Sequence, residues 1–478
     1  MPTDRPSRVL TLAPMPPEKC AYALARYSRS PDSIRESLAW VRQHDSRRFL
    51  EHFYFQYGHS SIADLGHVAL CFEGISELAA IEIEDEPLWD GQAKSSRYQD
   101  FSKTGFVTPP ELSGADAERY QRAAQALLAA YTQVHAKVAA HLEAKLPRPE
   151  EMKPDAYRRN IQARAFDVAR YLLFLGVPTN VGQITSIRTL EKQIRRLKAS
   201  EFAEVRELGA EAAAACAAPP SCVWEQQGHA EPLAPTLAQW VDEDSYLAQS
   251  RPELRQWAEA YLPPAAGIEV DTVDLLKPSE TSADLAATLL YPECNRPFRE
   301  LYELARSWSP ARRREVIELA ARGRTNRDEL LRGFRGGLYA FDIVMDIGAY
   351  RDLHRHRRCQ QFRQAFTSGL DYETPAAIGE AGLGEFYEAV MREALQAQRS
   401  LPEPGAQYLL PFAARSRFLF KMDFAEVEYI CRVRTGVKGH FSYRQVAWKM
   451  KEKLEQLEPE LAGLIEATPP WVEDPLRR

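Results

Sequence analysis

Hydrophobic residues recur along this chain in two rhythms. Leu127, Tyr131, Val134, Val138 and Leu142 follow one another at steps of three and four, which predicts a long amphipathic helix over about 115–146. Pro147 and Pro149 end it. Val68, Leu70 and Phe72 alternate instead, the mark of a half-buried strand, and Tyr339, Phe341 and Ile343 do the same in the second half. Further helices are predicted at about 17–26, 154–175, 186–217 and 296–322, from about 348, and near 383–400, 422–434 and 440–465. An aromatic-rich stretch, Phe49 to Tyr57, reads as ordered. Residues 218–280 are rich in proline and mark a boundary, with some helix around Leu254 to Tyr261.

The order of elements in the first half is replayed in the second. Thr108-Pro109 introduces the long helix of one half, and Thr374-Pro375 the corresponding helix of the other. Glu204-Val205-Arg206-Glu207 and Ser442-Tyr443-Arg444-Gln445 close comparable helical segments. A duplicated unit of this kind makes a pseudo-two-fold pair, the single-chain form of an isologous dimer. The expected fold is α+β: two similar units, residues 1–217 and 281–478, joined by the segment 218–280.

Composition narrows the classes. A chain of 478 residues with 45% hydrophobic and 27% charged residues is an ordinary globular protein with room for two or three domains. A net charge of −6 argues against general nucleic-acid binding, which favours a basic protein. The seven cysteines are scattered and form no Cys-x-x-Cys pair, so neither a zinc nor a disulfide framework is indicated, and a reduced, cytoplasmic setting is expected. No signal peptide or membrane-spanning stretch is read.

Three segments carry candidate chemistry. His354-Arg355-His356-Arg357-Arg358 places five basic residues in a row just after a strand. Arginine suits phosphate through its planar fork, and a histidine beside it can stack on or hydrogen-bond a cofactor ring. The plain alternative is a solvated basic face paired with Glu82, Glu84, Asp85 and Glu86, which occupy the matching place in the first half. The second segment, Gly91 to Gln99, contains Ser95, Ser96, Arg97 and Tyr98: two hydroxyls, a cation and a phenol, suited to a phosphate and sugar but common on loops. The third, Gly58-His59-Ser60-Ser61 with Asp64 and His67, is either a turn and cap or an imidazole and hydroxyl offered to a ligand.

Together these segments resemble the flavin-dependent thymidylate synthase (ThyX) family. That family carries a Gly-His-x-Ser turn, a strand, Arg-His-Arg, Glu-x-Ser-x-Arg-Tyr, an Asn-x-Arg helix and a Glu-Ile-Arg-like helix. The resemblance covers roughly 18–212 and, more loosely, 285–450. It is divided between the halves. The first has His59 and Ser61, then Ser95, Arg97 and Tyr98, then Arg188 in Ser186-Ile187-Arg188, and Glu204-Val205-Arg206; it lacks Arg-His-Arg. The second has Arg355, His356 and Arg357; it lacks Ser-x-Arg-Tyr, has Asp423-Phe424-Ala425 at the Asn-x-Arg position, and Gly323-Arg324 at the turn.

The resemblance implies one composite site shared by both halves. Arg355, His356 and Arg357, with His59 and Ser61, would hold flavin adenine dinucleotide (FAD). Ser95, Arg97 and Tyr98 would bind a pyrimidine nucleotide such as dUMP, and Arg188 would sit by the pyrimidine as the catalytic cation. NADPH and methylenetetrahydrofolate would be co-substrates, and the chain would pair into a homodimer, a pseudo-tetramer. Ala93 stands in place of the family's Glu, Ser186 in place of its Asn, and Arg351 or Asp352 in place of the Gln before Arg-His-Arg. These departures touch the nucleotide pocket, so the alternative is a catalytically inactive or altered nucleotide- and flavin-binding paralogue.

Overall fold

The computed structural model describes residues 15–28, 30, 33–44, 60–97, 99–222, 242–243, 272–277, 280–290, 298–321, 330, 334–335, 337–474 and 476. The expected aromatic segment 49–57, the helix around 254–261 and Gly323-Arg324 lie outside them, as does most of the proline-rich stretch.

The chain forms two compact units that do not follow chain order. One comprises Met1–Glu73, Leu88–Gln92 and Val181–Leu262; the other comprises Gly74–Pro87, Ala93–Asn180 and Pro263–Arg478. Strands β1 (His67–Ser76), β2 (Asp90–Ala93) and β3 (Pro178–Ser186) make a three-stranded sheet in the order β1-β3-β2.

The first unit rests on small apolar and amide contacts. Ser33 caps the helix Ile34–Gln43 by accepting the Arg35 N–H at 3.1 Å. Tyr22, Ala23 and Val41 pack between this helix and Pro17–Tyr27. Trp89 is buried, and its indole N–H donates to Gln183 across 2.6 Å, while Gln183 and Gln193 exchange amide hydrogen bonds of 2.8 and 3.0 Å. A buried indole N–H and two buried amides are all satisfied in this way. The expected helix over 186–217 is instead two, Ile187–Lys198 and Ala203–Cys216, following a strand that ends at Ser186. The Ser186 hydroxyl accepts the Thr189 N–H at 3.2 Å and so starts a helix where the strand stops.

The second unit is built on an antiparallel sheet of order β4-β5-β7-β6: β4 Val273–Leu276, β5 Tyr339–Asp346, β6 Gln360–Arg363 and β7 Arg415–Met422. The predicted alternation of β5 holds. Tyr339, Phe341, Ile343 and Met345 are buried and face Met422, Phe420, Phe418 and Ser416 of β7. Strand period two thus places both apolar sets on one face. The predicted long helix spans Gly114–Lys145 and buries the five residues that predicted it. It packs against Pro154–Ala169 and Gly384–Arg399. The stretch expected as one helix over 296–322 breaks into Phe298–Ser307 and Pro310–Ala321, because Pro310 opens a new helix.

Matching local devices recur in this unit. Ser76 caps Glu77–Glu84 through the Ala79 N–H at 3.0 Å; Asp346 caps Ile347–Leu353 through the Ala349 N–H at 2.7 Å. Tyr120 donates to the Val107 carbonyl at 2.7 Å; Tyr387 donates to the Glu373 carbonyl at 2.9 Å. The Glu77 and Leu78 amides bond to Val177 and Leu175, and the Ile347 and Gly348 amides to Ala414 and Phe412.

Candidate functional site

The basic run lies in a turn. The helix that follows β5 ends at Leu353, where the chain turns tightly twice. His356 N–H bonds to the Leu353 carbonyl at 3.1 Å, and Cys359 N–H to the His356 carbonyl at 3.2 Å. Strand β6 begins at Gln360, so the basic residues are held between a helix end and a strand start.

His354 is buried and stacks on Tyr350 at 4.9 Å. Its ring nitrogens stand 4.0 Å from Glu84 and 3.6 Å from Asp85. Arg363 pairs with Glu82. The acidic segment of the first half is thus brought against the basic segment of the second, as the plain reading of the charges anticipates.

His356 is also buried. Its Nδ1 faces a Glu426 oxygen at 3.3 Å, and the Arg434 Nε–H donates to its Nε2 at 2.6 Å. Because Arg434 is only a donor, Nε2 must be the acceptor and Nδ1 carries the proton. Burial lowers the tendency of this imidazole to ionise; Glu426 opposes that and Arg434 adds to it, and the net direction is downward. His356 is therefore a neutral ring with both nitrogens engaged.

Arg355 is half-buried. Its guanidinium makes no direct hydrogen bond or ion pair to a described residue. Arg357, beside it, lines a cleft of about 290 Å³ together with His354 and His356 on one wall and Glu84, Asp85 and Glu86 on the other. That volume suits one ring system, at the low end of small-molecule pockets. Cys359 also lines it, and burial pushes its thiol well up, so it is no ready nucleophile.

Next to the turn lies a buried set of charges. Arg97 Nε and Nη2 reach the two Asp167 oxygens at 2.8 and 3.3 Å, Nη1 donates to Tyr443 at 3.1 Å, and Nη2 donates to the Lys438 carbonyl at 3.0 Å. Arg170, 1% exposed, donates to Asp352 at 3.0 Å. Burial would raise the Asp352 carboxyl, but Arg170, Arg97, Arg355 and Arg434 hold it below its ordinary value. Arg351 pairs with the fully buried Glu77 at 2.5 Å and donates to the Ser96 hydroxyl at 3.2 Å.

The remaining sequence candidates fall as follows. Ser95 accepts the Arg97 N–H at 3.3 Å. Tyr98 and His59 lie outside the described residues, and Ser61 begins to be described only through its backbone in the short helix Ser60–Leu65. Arg188 belongs to the first compact unit and pairs with Asp64 at 3.0 Å, both partners about two-fifths exposed. Sequence motifs did not single out Asp167, Arg170, Glu426 or Arg434. The available signal was a charge on an apolar stripe: Asp167 lies among the buried Ile161, Ala165 and Val168 of its helix.

Comparison with known proteins places these features. A protein of Chlamydia muridarum described as a UPF0159 protein is 29% identical over 427 residues, covering 86% of this chain and 78% of that one. A flavin-dependent thymidylate synthase of Sulfurisphaera tokodaii is 28% identical over 151 residues, 28% of this chain and 58% of that one. Among solved structures, a UMP/dUMP methylase, PolB, from Streptomyces cacaoi bound with 5-Br dUMP shares 16% identity over 40% of this chain and 93% of that chain, with a TM-score of 0.32. The family model described as thymidylate synthase complementing protein matches residues 10–218 and again 279–460. With the motifs and both segments matched, the chain belongs to the thymidylate synthase complementing protein family, the ThyX family, as a tandem member.

Proposed function

We propose that the protein transfers a one-carbon unit to a uracil nucleotide such as dUMP, using FAD, through one site assembled from both repeats. The observation that carries this reading is the cleft lined by His356 and Arg357, with Arg355 beside them in the same turn. Guanidiniums gathered in one turn suit a phosphate-bearing cofactor. The residues present fit such a group: arginines of the turn for the diphosphate, and a space of about 290 Å³ lined by His356 and Arg357 for a ring. His59 and Ser61 are the further flavin-binding residues of this reading. Bound flavin supplies hydride, with NADPH as reductant and methylenetetrahydrofolate as carbon donor.

The chain's own residues bind and orient. Ser95 and Tyr98 offer hydroxyls to the nucleotide. Arg97, whose fork already serves Asp167, Tyr443 and Lys438, contributes positive field more than a free fork. Arg188 acts as the cation that stabilises negative charge developing on the pyrimidine, exchanging Asp64 for the substrate. Asp352 balances four arginines and keeps them from repelling one another.

In this reading the chain is a pseudo-dimer, with residues 1–217 and 281–478 as the repeated units and 218–280 as their connection; the recurring local devices support a repeat. Two such chains would pair into a homodimer. One observation favours the altered-paralogue reading: the donors of Arg97 and both nitrogens of His356 are engaged by protein. Tritium release from dUMP labelled at carbon five, with FAD, NADPH and methylenetetrahydrofolate present, separates the two. The proposal expects release that falls at least about a hundredfold in Arg188→Ala; nucleotide binding without any release would leave the altered paralogue.

A further inference from the structure

The second unit contains another cavity, formed by residues other than those of the basic turn. It encloses about 470 Å³ where the end of β5 and the start of β7 meet the helix Phe441–Leu457. Three cations line it: Arg415, Arg417 and Lys449. Each gives one donor to the protein. Arg415 Nε donates to Glu373 at 2.9 Å, Arg417 Nη1 to Asp342 at 2.9 Å, and Lys449 Nζ to Thr272 at 2.9 Å. Their remaining N–H groups have no acceptor among the described residues.

The carboxylates nearby do not compete for those donors. Asp346 is 1% exposed; one of its oxygens takes the Ala349 N–H at 2.7 Å and the other takes the Ser442 hydroxyl. Glu373 is engaged by Arg415. Met345 and Val446 add an apolar floor. Spare donors on three separate cations suit the several oxygens of a phosphate better than a planar carboxylate, which one guanidinium fork satisfies. The space exceeds what a bare oxyanion fills and lies within the range of small-molecule pockets.

We propose that this cavity is a second small-molecule site, built for a compact organic phosphate of about nucleoside monophosphate size. The inference stands on this cavity alone and does not depend on the reading of the basic turn.

Titration calorimetry on the full chain tests it, with orthophosphate, adenosine monophosphate, and glutarate as a carboxylate control. Adenosine monophosphate should bind more tightly than orthophosphate, and glutarate more weakly than either. Lys449→Gln and Arg417→Gln should each weaken adenosine monophosphate about tenfold, and Arg357→Ala should leave it unchanged. Absence of saturable binding at millimolar concentration overturns the proposal. So does binding that Arg357→Ala removes and Lys449→Gln does not, or glutarate binding as tightly as the phosphates. If Arg417→Gln melts early, Lys449→Gln still decides, because among the described residues its ammonium bonds only to the Thr272 hydroxyl. Tritium release plays no part in these readings, so failure of the proposed activity and failure of this site are told apart.

Discussion

Phe174 bridges Pro411 in antiparallel fashion. Each is the fourth residue of a Tyr-Leu-Leu-x stretch, 171–174 in one repeat and 408–411 in the other. Pairing of a position with its own counterpart is what a two-fold axis produces between identical units. The flanking bonds agree: Leu175 N–H to the Leu410 carbonyl at 3.1 Å, and Phe412 N–H to the Leu173 carbonyl at 2.7 Å. His354 facing Glu84 at 4.0 Å extends the pattern, each standing eight residues after its helix-capping residue, Asp346 and Ser76.

Gly176 lets these segments approach. Its N–H donates to the Tyr408 carbonyl at 2.7 Å, and a Cβ there would collide with the Tyr120 hydroxyl. Gly176→Ala should cost about 1–3 kcal/mol in urea unfolding. A variant as stable as the parent would mean the junction is looser than described.

Arg97 and Asp167 form a buried bidentate pair, with Asp167 1% exposed. Removing one partner leaves a buried charge alone. Arg97→Ala should therefore destabilise the protein by about 3–5 kcal/mol, with or without nucleotide. A stable variant that only loses nucleotide affinity would return Arg97 to a direct ligand role.

His356 sits between Glu426 and Arg434 as a neutral ring. Its folded-state tendency to protonate is lowered, so the unfolded chain binds the proton more readily. The stability it contributes is full above the ordinary histidine range and is lost as pH falls through it. His356→Ala should cost about 1–3 kcal/mol near pH 7, and less at pH 5. A cost that grows as the pH falls would contradict the neutral assignment.

Glu77 has the opposite sign. Burial pushes its carboxyl up to about 7; Arg351 and Arg355 pull it down, and Glu84 adds to the rise. Its proton favours the folded state, so its contribution is full below the ordinary carboxylate range and is lost as pH rises through about 7. The stability of Glu77→Gln relative to the parent should increase by about 1–3 kcal/mol between pH 5 and pH 8. A difference independent of pH would show that Arg351 keeps the carboxylate ionised throughout.

The long helix, β1, β5 and the helices near 17–26, 383–400 and 422–434 were legible because one face of each is apolar at a regular step. Strands β3 and β7 were not: Pro178–Ser186 and Arg415–Met422 mix threonine, arginine and asparagine or lysine with their apolar residues, and only cross-strand pairing makes the alternation visible. Candidate chemistry was legible where it clusters in sequence, as in the basic run from Arg355 to Arg357. Asp167, Arg170, Glu426 and Arg434 are distant in sequence, and only the fold gathers them. Arg97 reads as a free ligand cation in the sequence because its partner Asp167 lies 70 residues away.

The most direct test of the account is the visible spectrum of the purified protein, before and after FAD is added and the protein desalted. The account predicts a retained flavin band that bleaches with NADPH and a band at least about tenfold harder to retain in Arg355→Ala with Arg357→Ala. A protein that stays colourless, or a double variant that holds flavin as the parent does, would contradict it.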